Sequence, residues 1–268
     1  MRPHTLHWPE YVIEACCLGL FMVSATAFAI ALYHPLSPLA RWTTSAIVNR
    51  VPMGLAMGLT AALLIYSPPG RRSGAHMNPA VTFTFYRLGK IDGADALAYV
   101  TAQFIGGGTG MVIAIALFGT LTGDPAVNYV ATMPGAAGTA TAFVAEAVIS
   151  FLMMLTVLIV SNTPRFASLT GVAAALLVAT FITVEAPLSG MSMNPARTLA
   201  SALFAHSNSV WIYFMAPPLG MLTAAELFVR AAGHARIRCA KLHHPFDIPC
   251  IFHCGYAPPA DAGHYAET

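Results

Sequence analysis

The chain has 268 residues, 57% of them hydrophobic and 9% charged, with a mean hydropathy of +0.66 and a formal net charge of +2. A soluble domain carries about 25% charged residues, so the composition excludes a soluble globular fold and describes an integral membrane protein. The near-neutral balance gives no basic footprint for nucleic acid; the scattered Arg and Lys residues act as topology signals instead.

Runs of about 20 apolar residues predict six spans, taken here in chain order. After a short segment 1–9, the first lies near 10–32. Ala25-Thr26-Ala27 is similar to a signal-peptidase site, but the stretch is long, lacks a strongly basic start and contains Glu14. It therefore reads as a retained helix in which Cys16 and Cys17 are packing residues. The second span, 50–66, is short and runs into 67–76, where Pro68, Pro69, Gly70 and Gly74 exclude a continuous helix. Met77-Asn78-Pro79-Ala80 follows. Asn favours the N-cap and Pro the first helical position, so a half-helix is predicted over 78–88.

The third span, 94–118, contains Gly106-Gly107-Gly108 and Gly110, which predict close helix contact; no strand precedes them, as a phosphate loop requires. A connecting loop, 119–138, leads to the fourth span at 139–161 and a short fifth at 168–184. Residues 185–193, with Pro187 and Gly190, again break the helix, and Met193-Asn194-Pro195-Ala196 starts a second half-helix over 194–204. The sixth span, 209–232, precedes a tail, 233–268.

The same sentence is thus written twice, Ser73 and Ser189 lying 116 residues apart, and Glu14-Ala15 is echoed by Glu146-Ala147. Each half, 10–118 and 139–232, holds three spans and a half-helix. Three is odd, so the halves insert with opposite topology and the half-helices enter from opposite faces, an inverted repeat with its site at the midplane. The predicted fold class is an all-α membrane protein of six transmembrane helices and two re-entrant half-helices. Arg2, Arg71, Arg72, Arg87, Lys90, Arg165, Arg230, Arg236, Arg238 and Lys241 fall on one side, and only Arg41 and Arg50 on the other. Both termini are therefore expected in the cytoplasm.

Irregular backbone within a bilayer survives only where it is buried in protein or lines a wet cavity. The carbonyls of Gly74, Ala75 and His76, and of Gly190 and Ser192, accordingly need water or a ligand. Asn78 and Asn194 cap their half-helices with the side-chain oxygen and turn amide donors to the path. Two helix N-termini meeting there oppose cations and suit a neutral hydrogen-bonding molecule.

These residues resemble the major intrinsic protein family, the aquaporins and glycerol facilitators. The resemblance rests on Ser73-Gly74-Ala75-His76-Met77-Asn78-Pro79-Ala80-Val81-Thr82 and Asn194-Pro195-Ala196-Arg197. It extends to Glu14, Glu146, Ala102-Gln103, Gly106 and the stretch from Trp211 to Gly220, and covers roughly residues 10–230. It implies passive flow of water or small neutral solutes through one pore per subunit of a homotetramer in the plasma (inner) membrane. By the same resemblance Glu14, Glu146 and Gln103 support the re-entrant loops, and Arg197 belongs to a four-residue selectivity filter.

Spacing within the family pattern transfers the other filter positions to Ile182, Met191 and either Met57 or Gly58. Water-selective members carry His where Ile182 stands and a small residue where Met191 stands; glycerol channels carry an aromatic at the latter. No Cys occupies position 191, the mercury-sensitive position of many relatives. Met, Ile and Met leave Arg197 and loop carbonyls as the polar partners, and flexible Met can repack around different solutes. Thr198 and the pair Tyr213-Phe214 lean toward water channels. The expectation is a water channel with permeability to small uncharged solutes that excludes protons and ions. The alternative is a facilitator chiefly for glycerol or similar neutral solutes, metalloid hydroxides included.

His76 reads as a loop histidine, with a gating role as the sharper alternative. In the tail, Cys239, His243, His244, Cys250, His253 and Cys254 crowd together after the last span. Among them Cys239, His243, Cys250 and Cys254 are weak candidates for a metal site, against a disordered or docking tail; residues 257–268 read as disordered. No cofactor motif or nucleophile–base constellation is present, so neither a cofactor nor an enzymatic activity is expected. An active transporter, which shares the broken-helix architecture, would rest on Glu14 and Glu146 as its mid-membrane acids; a closed-pore scaffold is the third class.

Overall fold

The computed structural model describes residues 6–256 apart from positions 206 and 249; the expectations for Arg2 and for 257–268 lie outside these residues. Among them, ten α-helices are present: α1 (Trp8–Tyr33), α2 (Ala46–Tyr66), α3 (Pro68–Ser73), α4 (Pro79–Arg87), α5 (Gly93–Phe118), α6 (Gly138–Ser161), α7 (Thr170–Val184), α8 (Ala186–Ser189), α9 (Pro195–Ala205) and α10 (Val210–Ala232). The six predicted spans correspond to α1, α2, α5, α6, α7 and α10, all long and apolar enough to cross a membrane.

The packing of the two halves is reciprocal. α1 lies against α5 as α6 lies against α10, α5 against α9 as α10 against α4, and α2 meets its counterpart α7. Close approach is encoded by small residues. A Cβ at Gly106 would stand 2.1 Å from the Ala15 carbonyl oxygen, and one at Gly220 would stand 2.1 Å from that of Ala147. Ala15 and Ala147 each follow one of the two buried glutamates, so the repeat places helix seam and loop support in the same register. Large apolar side chains such as Leu55, Leu59 and Leu63 on α2 face outward, as lipid-facing residues do.

Residues 67–76 and 185–193 are more helical than expected. Ser67 is extended (φ −60°, ψ 151°) and ends α2, but Pro68 then opens the helical turn α3 with the Ser67 hydroxyl accepting from Gly70 N–H at 3.1 Å. Pro at a first helical position costs nothing, because its missing N–H has no partner there anyway; the prolines restart a helix instead of forbidding one. Truly irregular backbone narrows to 74–78 and 190–194. There Gly74 (φ 93°), Ala75 (53°) and Met77 (48°) match Gly190 (82°), Met191 (51°) and Met193 (54°) in left-handed conformation. Such residues cost about 1–3 kcal/mol each where they are not Gly, so surrounding structure must hold them.

The connecting segment lies over the second re-entrant loop: Gly135 N–H donates to Leu188 O at 2.9 Å, and the Thr132 and Thr198 hydroxyls lie 2.8 Å apart. Beyond α10 the tail takes one 3₁₀ turn (His234–Arg236) and returns to the bundle as irregular backbone. Ile237, Cys239, Ala240, Leu242 and Phe252 are buried there. Of the two expectations for the tail, docking describes residues 237–256.

Candidate functional site

Burial of a carboxylate requires partners, and both buried glutamates find them in the irregular loops. Glu14 Oε1 accepts from the Ser73 hydroxyl at 2.8 Å and His76 N–H at 3.0 Å; Oε2 accepts from Met77 N–H at 2.6 Å and the Gln103 amide at 2.8 Å. Glu146 repeats this, with Ser189 Oγ and Ser192 N–H on Oε1 and Met193 N–H on Oε2, each at 2.7 Å. Tyr99 and Tyr213 add a second tie, their hydroxyls donating to the carbonyls of Ser73 and Ser189. These contacts hold the left-handed residues in place. Gln103 also donates to Thr82 Oγ1 at 3.1 Å.

The N-termini of α4 and α9 meet between these loops. Asn78 Oδ1 accepts from Ala80 N–H at 2.9 Å, and Asn194 Oδ1 from the N–H groups of Ala196 and Arg197 at 3.1 and 3.2 Å. One hydrogen of each amide crosses to the opposite loop: Asn78 Nδ2 donates to Met193 O and Asn194 Nδ2 to Met77 O, both at 2.7 Å. The amide donors are therefore half committed, with one hydrogen of each Nδ2 left for the path.

That path is a cavity of about 380 Å³ running from Tyr33 and Arg50 at one end to Ile65 and Leu242 at the other. Met57, Ile182, Met191 and Arg197 all line it, together with Asn78 and Asn194. Gly58 instead faces α7, where a Cβ would stand 2.6 Å from the Ala175 carbonyl oxygen; of the two alternatives, Met57 is the residue on the cavity. Arg197 presents a buried Nη1 that has no hydrogen-bond partner among the described residues. A donor in that state is suited to a passing acceptor. Ala75, His76, Gly190 and Ser192 also line the cavity. Gly74 does not, because its carbonyl accepts from Leu242 N–H in the returning tail at 3.1 Å.

His76 is likewise engaged by the tail. Its Nε2 donates to the Ala240 carbonyl at 2.9 Å, which leaves Nδ1 facing Thr82 Oγ1 at 3.0 Å. The ring stacks between Phe85 and Phe252, with centroids 5.3 and 5.4 Å away. Of the metal candidates, Cys239, Cys250 and Cys254 converge, but the histidine that joins them is His244; all four ligand atoms lie within 4.8 Å of one another. His243 is corrected out of the set: neighbouring side chains leave the backbone in different directions, and His243 turns its ring edge-on to Tyr66, 4.9 Å between centroids.

Sequence reasoning missed Tyr99 and Leu242 altogether, and the structural roles of Tyr213 and Arg50. The tyrosines carried a signal, because they occupy corresponding places in the two halves, before Gly106 and Gly220. Arg50 was counted as a topology charge; its Nε donates to Thr183 O at 2.9 Å at the mouth of the cavity.

Six apolar spans in two inverted halves, with two half-helices meeting end to end across a lined cavity, define a membrane channel. The profile of the major intrinsic protein family matches residues 4–228, and the chain belongs to that family. It is 34% identical over 183 residues to a glycerol uptake facilitator protein-like 6 of Lactiplantibacillus plantarum, covering 65% of this chain and 81% of that one. It is 32% identical over 204 residues to aquaporin NIP3-1 of Zea mays, covering 75% of this chain and 66% of that one. The fold is similar to the X-ray structure of the aquaglyceroporin from Plasmodium falciparum, with a TM-score of 0.66 at 19% identity over 83% of this chain and 96% of the other. The protein is a channel of the class that passes water and small neutral solutes.

Proposed function

We propose that this channel conducts water passively, admits small uncharged solutes, and rejects protons and ions at the meeting point of α4 and α9. The observation that carries the reading is the crossed pair of Asn78 and Asn194 amides at 2.7 Å. It sets two helix N-termini, each equivalent to about half a positive charge, against one narrow passage. A water molecule entering finds one free hydrogen on each Asn Nδ2 and donates its own hydrogens to loop carbonyls, which disfavours a proton-conducting wire. Met57, Ile182, Met191 and Arg197 act as the selectivity filter, with Glu14, Glu146 and Gln103 supporting the loops. The positive-inside distribution supports cytoplasmic termini in a plasma (inner) membrane, and the family pattern supports a homotetramer.

The second reading, a facilitator chiefly for glycerol or a similar neutral solute, is favoured by the apolar side chains facing Arg197 and by the relative named as a glycerol uptake facilitator. Light scattering from proteoliposomes separates the two. The experiment uses the parent chain and Leu242→Ala, since Leu242 stands at the cavity end. Fast shrinkage in sucrose with no re-swelling in glycerol supports a strict water channel; fast re-swelling with slow initial shrinkage supports the facilitator. Equal rates for proteoliposomes and empty vesicles in both forms would remove the channel reading.

A further inference from the structure

Among the described residues the tail has no regular structure beyond one 3₁₀ turn (His234–Arg236), yet much of it is buried against the bundle. Ile237, Ala240, Leu242 and Phe252 anchor it in the core, and a cluster of cysteines and one histidine draws its irregular turns together. Its three cysteines and His244 follow the spacing Cys-x₄-His-x₅-Cys-x₃-Cys. The Cys239 and Cys250 sulfurs are 3.5 Å apart, and His244 Nε2 is 3.1 Å from Cys254 Sγ. Four ligand atoms within 4.8 Å of one another match a tetrahedral centre, in which Zn–S bonds of about 2.3 Å set S···S separations near 3.8 Å. The surroundings are those of a metal knuckle. Lys241 N–H donates to Cys239 Sγ at 3.5 Å, and the His244 ring is packed on Tyr256 with centroids 4.6 Å apart, the outer contacts that orient metal ligands.

The knuckle is pinned to the first re-entrant loop. Leu242 N–H takes the Gly74 carbonyl at 3.1 Å, Ala240 O takes the His76 Nε2 hydrogen at 2.9 Å, and Phe252 stacks on His76. Leu242 also belongs to the walls of two cavities, the channel and a separate space of about 670 Å³ under the tail. Leu242 therefore stands where the two spaces adjoin.

We propose that Cys239, His244, Cys250 and Cys254 bind one Zn²⁺, and that the metal holds Leu242 in the mouth of the channel as a plug. The site stands on its own geometry; the closure rests on the channel reading above. Zinc loss lets residues 237–256 leave the mouth, frees the Gly74 carbonyl for water and opens the passage.

The test uses the full chain in proteoliposomes with zinc content measured by mass spectrometry. One zinc per chain is expected, lost in the double variant Cys250→Ser/Cys254→Ser. Cobalt should give the tetrahedral thiolate absorption in its place. Stripping zinc with a membrane-permeant chelator should raise osmotic water permeability several-fold, and restoring zinc should lower it again. Leu242→Ala should conduct with zinc still bound, which separates plug from fold. Absence of zinc and cobalt binding at micromolar free metal, or a Cys239–Cys250 disulfide in its stead, overturns the site. Equal permeability of zinc-loaded, stripped and Leu242→Ala forms overturns the closure. If none of these forms passes water, the channel reading fails and the closure with it, while zinc content still reports on the site.

Discussion

Asn78 and Asn194 each donate one amide hydrogen to the carbonyl of the methionine preceding the other, at 2.7 Å in both directions. Each side chain thus caps its own half-helix and ties the opposite loop. Neither half of the chain can complete the centre of the passage alone.

Asn78→Ala removes a helix cap, worth about 1 kcal/mol, and leaves the buried Met193 carbonyl without its donor, which costs roughly 1–3 kcal/mol. The expected outcome is a clear drop in thermal stability in detergent, read by size exclusion after heating, and slower water flow. The same loss is expected for Asn194→Ala. Unchanged melting of both variants would mean that the crossed amides do not hold the loops.

Glu14→Gln and Glu146→Gln replace one acceptor oxygen with an NH₂ group that faces loop donors. Charge-assisted hydrogen bonds contribute about 1.5–3 kcal/mol each, so a destabilisation on the order of 3 kcal/mol is expected for each variant. The yield of folded protein and its melting temperature report this directly. Both should fall, because each acid holds the corresponding Ser hydroxyl and two loop N–H groups in its half; Glu14 also accepts from Gln103.

Much of this was legible in the chain, and the reason is physical. A bilayer demands long apolar spans, and Asn-Pro is a strong helix start, so α4 and α9 lie within a residue of their predicted starts at 78 and 194. Glu14 and Glu146 stood out because an uncompensated acid cannot persist in an apolar span. What escaped was set by long-range contact. Pro68 and Pro187 read equally well as helix breakers or helix starters until the Ser67 hydroxyl cap of the first and the neighbours of both are known. Tyr99 is one aromatic among many until its hydroxyl is seen on Ser73 O. The exchange of His243 for His244 depends on the direction of one turn in an irregular tail, and no periodic pattern records that direction.

Gly106→Ala and Gly108→Ala make a matched pair. A Cβ at Gly106 would meet Ala15 O at 2.1 Å, whereas one at Gly108 meets nothing within 4 Å. Gly106→Ala should force α1 and α5 apart and cost several degrees of melting temperature. Gly108→Ala should be neutral or stabilising by up to about 1 kcal/mol, from helix propensity alone. Equal melting of the two would contradict the packing of this seam.

Arg197→Val removes the cavity's buried guanidinium donor while keeping a side chain of moderate bulk. Permeability to glycerol and urea relative to water should rise several-fold, and the water rate should change less. An unaltered ratio, measured in the Leu242→Ala background to keep the mouth open, would take Arg197 out of the filter.

The most direct measurement follows water and protons together in one vesicle preparation. Proteoliposomes holding a pH-sensitive dye are given an osmotic step and, separately, a pH step, using the Leu242→Ala chain. The account predicts shrinkage about tenfold faster than in empty liposomes, with the pH gradient decaying no faster than in the empty control. Rapid collapse of the pH gradient, or shrinkage at the empty-vesicle rate, would contradict it.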